Sequence, residues 1–397
     1  MKKIIVLLLM FNAMAVFASD ARTEGLGGFA PIFIDDSQIF LNPALAYKFP
    51  NFATLELGRY VAGATTQQSG YGVLRANDYI YIGAGVLREK DDFDNISYDD
   101  LIGLHTPTND FDAMVSLLLG RISIGFGTHL AGWKHYTKST DTTSTTEHTQ
   151  KTSVMAFTLG TALESEDLLI DAAFEMRMNS YLNEQVEDDD HMTSKIDGGL
   201  GLSFNSRAFL PLGGFKLVPA IGFNMFGYTP ILEYQDSTEK GAKHSLMMIS
   251  TTVGANIPVF GEGWVAPGVG FMYGSEKQES DDETNTQTGI VFPQVSLSGE
   301  VPLTKWADAR FGYRRWFGSL KQEDKTDNTT QTSTIPINEQ TQFMPPDQIS
   351  VGLGIKLADG KITIDGTIGE QFIHEGGYII SGIEDNLFGT ASLCVNF

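Results

Sequence analysis

Apolar and polar side chains alternate along most of the chain after residue 50. In residues 349–357, isoleucine, valine and leucine occupy every second position between small or polar residues. Because successive side chains of a β-strand point to opposite faces, this pattern predicts strands with one apolar and one polar face. A short turn at residues 358–360 leads into a second alternating run, residues 361–368. The two runs predict a tight hairpin.

Hairpins of the same kind recur along the chain. Their predicted strands are residues 110–119 with 121–136, 151–163 with 167–180, 194–207 with 214–227, 242–259 with 263–275, and 291–301 with 307–314. Residues 51–88 hold two or three further strands. Alternating segments joined in turn by tight turns and long polar loops are typical of outer-membrane barrels. The predicted fold class is therefore all-β, a transmembrane antiparallel β-barrel of 14 or 16 strands.

The last eleven residues, 387–397, also alternate and end on Phe397. A final strand of a soluble sandwich has the same pattern, so the tail alone leaves both folds open. In a barrel the segment is the closing strand, with Leu393, Val395 and Phe397 facing lipid. Its expected neighbours are the strand at residues 361–374 and the first strand of the barrel.

Loop lengths predict the orientation of the barrel, because such barrels have short periplasmic turns and long extracellular loops. The long segments are polar and acidic, and we expect all of them outside the cell. They are residues 89–108, 137–150, 181–193, 228–241, 277–287, 324–345 and 375–386.

The amino terminus has the order of a secretory signal peptide: two lysines, a short apolar run, and small residues up to Ala18. No later stretch approaches the length of a transmembrane helix, so a closed barrel is the expected membrane-spanning structure. The predicted organisation is a signal peptide at residues 1–18, a plug at residues 19–50 and a barrel at residues 51–397. The expected location is the outer membrane of a Gram-negative bacterium.

Composition and charge narrow the function. Glycine (42 residues), phenylalanine (26) and tyrosine (13) are abundant, only 19% of residues are charged, and the net charge is −22. An acidic chain is unsuited to phosphate contacts, so nucleic acid is not an expected partner. The single cysteine, Cys394, excludes an intramolecular disulfide. No spacing of nucleophile, base and orienting group indicates catalysis, so we expect neither an enzyme nor a cofactor.

Residues 22–28 (Arg-Thr-Glu-Gly-Leu-Gly-Gly), the pair Asp35 and Asp36, and residues 39–44 (Ile-Phe-Leu-Asn-Pro-Ala) stand between the export signal and the first strand. This opening resembles that of the long-chain fatty acid transporter superfamily of outer-membrane barrels, which includes the barrel shuttle protein of the type IX secretion system. The resemblance implies a plug inside a fourteen-stranded barrel, with Asn42, Pro43 and Ala44 in the plug. One departure is Leu45, where the family usually has glycine.

Several charged residues fall on the inward face of the predicted strands: Asp171, Glu175, Arg177, Arg310, Arg314 and Asp365. They line a polar route, or they pair with one another and with the plug in a buried network, which is the favoured interpretation. Arg310 and Arg314 share one face of a strand and are candidates to contact Asp35, Asp36 or a ligand carboxylate. Apolar inward candidates are Met114, Leu118, Leu169, Val218, Phe292, Tyr79 and Tyr81.

Three functions remain open at this stage. The resemblance implies passive uptake of a hydrophobic small molecule. The alternatives are a structural or interaction barrel (a surface receptor, an adhesive surface or a secretion-associated protein) and a general porin for small polar solutes. The expected partners are outer-membrane lipid and lipopolysaccharide, the barrel assembly machinery and a hydrophobic small-molecule ligand.

Overall fold

The fold is that of a computed structural model of the chain. It describes residues 20–27, 30–61, 68–87, 107, 109–140, 145–188, 190–235, 237–280, 283–326, 329–336, 347–372 and 387–397. The predicted signal peptide, residues 1–18, lies outside the described residues.

Eighteen described strands form one antiparallel sheet. They are β1 (Phe52–Val61), β2 (Ser69–Arg75), β3 (Ile80–Val86), β4 (Asn109–Leu119), β5 (Ile122–Thr140), β6 (Thr145–Ser165), β7 (Leu168–Glu187), β8 (Asp190–Leu212), β9 (Phe215–Tyr234), β10 (Ser237–Lys240), β11 (Lys243–Val259), β12 (Gly263–Glu279), β13 (Glu283–Thr304), β14 (Ala307–Thr326), β15 (Thr329–Pro336), β16 (Asp347–Leu357), β17 (Ile362–Phe372) and β18 (Leu387–Asn396).

Sixteen of these strands close into a barrel, because β18 pairs with β1. The strands β10 and β15 are additions to the ring: β9 pairs directly with β11, and β14 pairs directly with β16. The higher of the two predicted strand counts is therefore confirmed. Residues 51–88 supply three strands, and the fourteen-stranded barrel that the resemblance implies is not observed.

The closing strand β18 has the two neighbours expected from the sequence, β17 and β1. Thr390 and Ser392 are buried on the inner face, and Phe397 is exposed on the outer face. Among the described residues, β1 pairs with β2 from Phe52 to Glu56, and the register of β1 with β18 shifts between Glu56 and Arg59.

The outer face of the barrel carries large exposed apolar side chains on successive strands, for example Ile124, Phe126, Leu159, Phe174 and Val351. A contiguous apolar surface of this extent is the mark of a surface that contacts lipid. Trp306 and Phe260 are exposed at the short turns, where barrels place interfacial aromatic residues. Among the described residues, no helix has the length and apolar character needed to cross a membrane.

The barrel wall has a tall side and a short side. The strands β5 to β9 and β11 to β14 have 17 to 23 residues each. A 20-residue strand is about 65 Å long, far more than a tilted strand needs for an apolar band of about 25 Å. The predicted loops at residues 137–150, 181–193, 228–241 and 277–287 are therefore wrong as loops, because most of their described residues extend these strands.

Residues 20–50, here called the plug, lie inside the barrel. They form the helix α1 (Asp20–Gly25) and three 3₁₀ helices, Ala30–Ile32, Asp36–Phe40 and Pro43–Lys48. The plug contributes to two apolar clusters. One joins Leu26, Ile32, Phe33, Ala44 and Leu45 to Ala162, Leu169, Phe209, Val218 and Ala266 of the wall; the other joins Ile39, Phe40 and Ala46 to Phe52, Tyr71, Val73, Tyr81 and Met114.

We expect Phe397→Asp to impair assembly of the barrel, because a charge then replaces an aromatic side chain on the lipid face of the closing strand. The measurement is the fraction of protein that runs as a compact, heat-modifiable band on electrophoresis. Phe397→Trp keeps the aromatic ring and serves as the control. A normal heat-modifiable fraction for Phe397→Asp contradicts the role assigned to the terminal residue.

Candidate functional site

The segment Asn42-Pro43-Ala44 is held in grooves of the wall that glycine creates. The Asn42 side chain caps the helix Pro43–Lys48, since its Oδ1 accepts a hydrogen bond from the Ala44 amide at 3.1 Å. A Cβ atom at Gly160 would lie 2.0 Å from Asn42 Oδ1, and one at Gly125 would lie 2.3 Å from the Ala44 nitrogen. The plug backbone therefore approaches the wall more closely than any side chain there would permit.

Wall hydroxyl groups satisfy carbonyl groups of the plug. Because a buried carbonyl without a hydrogen bond is costly, these contacts fix the register of the plug against the wall. The hydroxyl groups belong to four separate parts of the barrel. They are Thr367 donating to Ala21 O (2.5 Å), Ser350 to Glu24 O (2.6 Å), Ser298 to Leu26 O (2.6 Å) and Ser123 to Ala44 O (2.8 Å).

The first charged cluster joins the plug to β13, β14 and β17. Arg22 lies 2.8 Å from Asp35 and donates twice to Glu300, at 3.0 and 3.2 Å. Arg310 donates to Glu300 at 2.5 Å and forms a second ion pair with Asp365. The charge of Arg310 also acts on Asp35, while the ion pair of Asp35 is with Arg22. The plug supplies its own arginine to Asp35, and Arg310 neutralises wall carboxylates.

Charge pairing within the plug keeps Asp35 ionised. Burial raises the pKa of this carboxyl, but the Arg22 guanidinium and hydrogen bonds from Asp36 outweigh burial, so the pKa lies below its ordinary value. Burial likewise lowers the pKa of Arg22, and the charges of Asp35 and Glu300 more than reverse that shift. Both partners are thus charged at neutral pH.

We expect acid to loosen the plug. A carboxyl whose pKa is depressed in the folded state stabilises that state fully above its unfolded pKa of about 4, and the stabilisation is lost as pH falls through the lower folded value. Ion conductance across planar bilayers should therefore stay at its closed level at pH 7 and rise only below about pH 4. Asp35→Asn should abolish this acid step; an unaltered step in that variant refutes the assignment to Asp35.

The second charged cluster is centred on Arg207 of β8, which the sequence analysis did not single out. Its Nε donates to Asp171 Oδ2 at 2.9 Å, its Nη1 to Phe33 O at 2.7 Å and its Nη2 to Gln38 Oε1 at 2.7 Å. Asp171 also accepts from Asn42 Nδ2 at 3.3 Å. One wall arginine thus binds two parts of the plug and a wall carboxylate. The alternation of Asn205, Arg207 and Phe209 along β8 could have indicated that Arg207 faces the lumen.

The remaining predicted site residues also have partners. Arg177 donates to Glu175 at 2.8 Å, and Arg314 donates to Gln348 Oε1 at 2.9 Å. Asp36 accepts from Thr54 Oγ1 at 3.5 Å. These contacts favour the interpretation of the inward charges as a paired network.

A cavity of about 140 Å³ lies between the plug and the wall formed by β7, β8, β9 and β11. The plug side includes Pro31, Leu41 and Leu45, and Leu41 is 54% exposed inside the barrel. The wall side includes Ala173 and Ala220. Asp171 and Arg207, already paired with each other, form part of the lining.

A layer of apolar side chains lies beyond this cavity, on the side away from the short turns. It comprises Ala131, Val154, Tyr181, Phe226, Tyr228 and Leu246, with Ile196, Met248, Met272 and Leu320 packed against them. The order of residues along β9 shows where this layer lies relative to the plug. Val218 contacts the plug, Ala220 and Gly222 line the cavity, and Phe226 and Tyr228 belong to the layer.

Most of the apolar residues expected to face inward do so and pack against the plug. Met114, Leu169 and Val218 pack against the plug, whereas Tyr79 and Phe292 are 61% and 63% exposed. Those two predictions of an inward position are wrong. Phe292 lies where the register of β13 against β14 shifts between Val291 and Gln294, and such a shift moves side chains between the faces.

A second chamber, of about 380 Å³, lies on the side of the plug that faces the short turns. Its lining includes Lys48, Asp308 and Lys356 together with the charged cluster around Arg22. This chamber is thus charged, in contrast to the apolar layer on the other side of the plug.

The closed sixteen-stranded ring, its apolar outer face and its internal plug define a transmembrane β-barrel of the bacterial outer membrane. No family model matches the sequence, and no curated protein matches it. Among solved structures, the chain is similar to the Pseudomonas putida toluene transporter TodX (11% identity, TM-score 0.43, covering 97% of this chain and 99% of that one). It is also similar to the Ralstonia pickettii toluene transporter TbuX (10%, 0.42, 94% and 97%) and to the alcaligin outer-membrane receptor FauA from Bordetella pertussis (10%, 0.36, 87% and 76%).

Proposed function

We propose that this barrel mediates the passive uptake of hydrophobic small molecules across the outer membrane. The observation that carries the proposal is the apolar layer around Phe226, Tyr228 and Leu246 inside the lumen. A lumen for ions or sugars needs water and polar groups along its length, whereas apolar side chains there favour molecules that gain free energy by leaving water. The layer lies next to the cavity along β9, so a molecule that passes the layer would reach the cavity beside the plug.

The plug argues against a general porin. Barrels of 16 strands enclose an aqueous channel when nothing fills them. Here apolar clusters, wall hydroxyl groups and the Arg22 and Arg207 clusters hold the plug across the lumen. A molecule that passes must move along the plug or displace it.

We infer further that the chain is related to the long-chain fatty acid transporter superfamily. The support is that Asn42, Pro43 and Ala44, which carry the sequence resemblance, form the part of the plug seated against Gly125 and Gly160. Lipopolysaccharide around the tall wall and the barrel assembly machinery at the terminal strand are the partners that this proposal includes.

The test is uptake of a hydrophobic fluorescent dye by Gram-negative cells with an otherwise intact outer membrane. Expression of the protein should accelerate dye entry, and Phe226→Asn should slow the accelerated part by at least about tenfold, since apolar contact of the size of one aromatic side chain contributes about 1.5–3 kcal/mol. Phe226→Leu keeps an apolar group and is the control. Dye entry at the rate of cells without the protein overturns the proposal.

A further inference from the structure

The cavity beside the plug has a definite size. At about 140 Å³ it is close to an apolar cavity of about 150 Å³ that holds one benzene molecule in another protein. The cavity therefore accommodates a compact molecule of about six to eight non-hydrogen atoms. Only part of a long acyl chain would fit within it.

The charges in the cavity wall are already neutralised. Arg207 is engaged by Asp171, by the Phe33 carbonyl and by Gln38, and Asp171 also accepts from Asn42. A carboxylate that entered would lose its hydration and would have to displace one of these partners to reach the guanidinium. The lining thus disfavours anions despite containing an arginine.

Neutral polar groups converge at one point of the wall. A Cβ atom at Gly222 would lie 2.6 Å from Ser250 Oγ and 3.1 Å from Asn205 Oδ1. Because Gly222 has no side chain, both polar groups border the same open space. Thr252 adds a third uncharged hydrogen-bonding group to the lining. Ala173, which pairs with Asn205 across β7 and β8, and Leu41 of the plug add apolar surface to the lining.

We propose that this cavity binds a compact, uncharged molecule with an apolar body and one hydroxyl or similar hydrogen-bonding group. The apolar body lies against Leu41 and Ala173, and the polar group faces Asn205 and Ser250. This inference rests on the proposed uptake function and names its substrate class: small neutral amphiphiles, in place of long-chain carboxylates.

The test is calorimetric titration of the full protein in lipid nanodiscs with phenol, benzene and benzoate, after subtraction of heats from empty nanodiscs. Phenol is neutral at pH 7, and one hydrogen bond should make it bind about three- to tenfold more tightly than benzene. Benzoate should give no specific heat. Ser250→Ala with Asn205→Leu should remove the advantage of phenol and leave benzene binding in place.

Two adjacent alanines supply a matched pair of variants. Ala173→Leu fills the cavity and should abolish phenol binding, whereas Ala172→Leu projects from the opposite face of β7 and should leave it unchanged. Both variants are first checked for a heat-modifiable barrel. Benzoate binding as tight as that of phenol, or equal phenol binding by the two variants, overturns the inference.

The dye assay separates this inference from the proposed function. Accelerated dye entry without phenol binding overturns the substrate class and leaves uptake standing. Loss of both dye entry and phenol binding overturns the uptake function and the substrate class.

Discussion

Replacing Gly160 with leucine is expected to expel the plug from its seat and open the barrel to ions. The Asn42 carboxamide oxygen occupies the position of a Cβ atom at Gly160, and plug backbone lies beside it. Overpacking that a core absorbs by small shifts costs about 1–3 kcal/mol. Small shifts cannot accommodate an entire leucine side chain here, because the wall backbone is fixed by its ladder hydrogen bonds.

The measurement is single-channel conductance in planar bilayers. The parent protein should stay closed, and Gly160→Leu should give stable openings of the size expected for an unfilled sixteen-stranded barrel. Gly366→Leu is the matched control, because a Cβ atom at Gly366 meets no atom within 4 Å. If Gly160→Leu and Gly366→Leu conduct alike, the plug is not seated on Gly160 as described.

Substituting methionine for Arg207 is the second change with a large expected effect. The substitution removes the donor to Phe33 O and Gln38 and leaves the Asp171 carboxylate without its ion pair. Removing one partner of a buried ion pair costs about 3–5 kcal/mol. Here the loss weakens the attachment of the plug to the wall. The barrel itself should persist, since the ladder of β8 with its neighbours does not involve the side chain.

Limited proteolysis of the plug in the folded barrel measures this effect, with heat modifiability as the check on the wall. Arg207→Met should be cleaved within residues 20–50 much faster than the parent protein. Combining it with Asp171→Asn should restore part of the protection, because no buried charge is then left alone. Equal protection of Arg207→Met and the parent would show that the plug is held without Arg207.

Much of the wall could be predicted from the sequence, and the physical reason lies in the environment of each segment. Where one face meets lipid, alternation is strong, as in β16 and β17, and both strands and their turn were placed correctly. Beyond the membrane both faces of a strand meet polar surroundings. Residues Thr145–Gln150 of β6 therefore lack an apolar stripe, and they were expected to be a loop although they pair with β5 and β7.

The internal site was less accessible to sequence reasoning. The apolar stretch before the first strand led to the expectation of a buried segment there, and the family resemblance placed Asn42-Pro43-Ala44 in it. The hydrogen-bond partners of the plug could not be predicted, since Arg22 contacts Glu300 at a sequence separation of 278 residues and Arg207 contacts Phe33 at a separation of 174. Such pairs depend on strand tilt and register, which alternation leaves undetermined.

The bulge between β1 and β18 makes the barrel mechanically uneven. From Ile122 to Thr140, β5 is bonded to β6 without interruption, whereas the register of β1 with β18 shifts between Glu56 and Arg59. Each ladder hydrogen bond that is missing lowers the work of separating two strands. Amide hydrogens of β1 should exchange with solvent sooner than those of β6. Under heat or load, the strands of the barrel should separate first between β1 and β18.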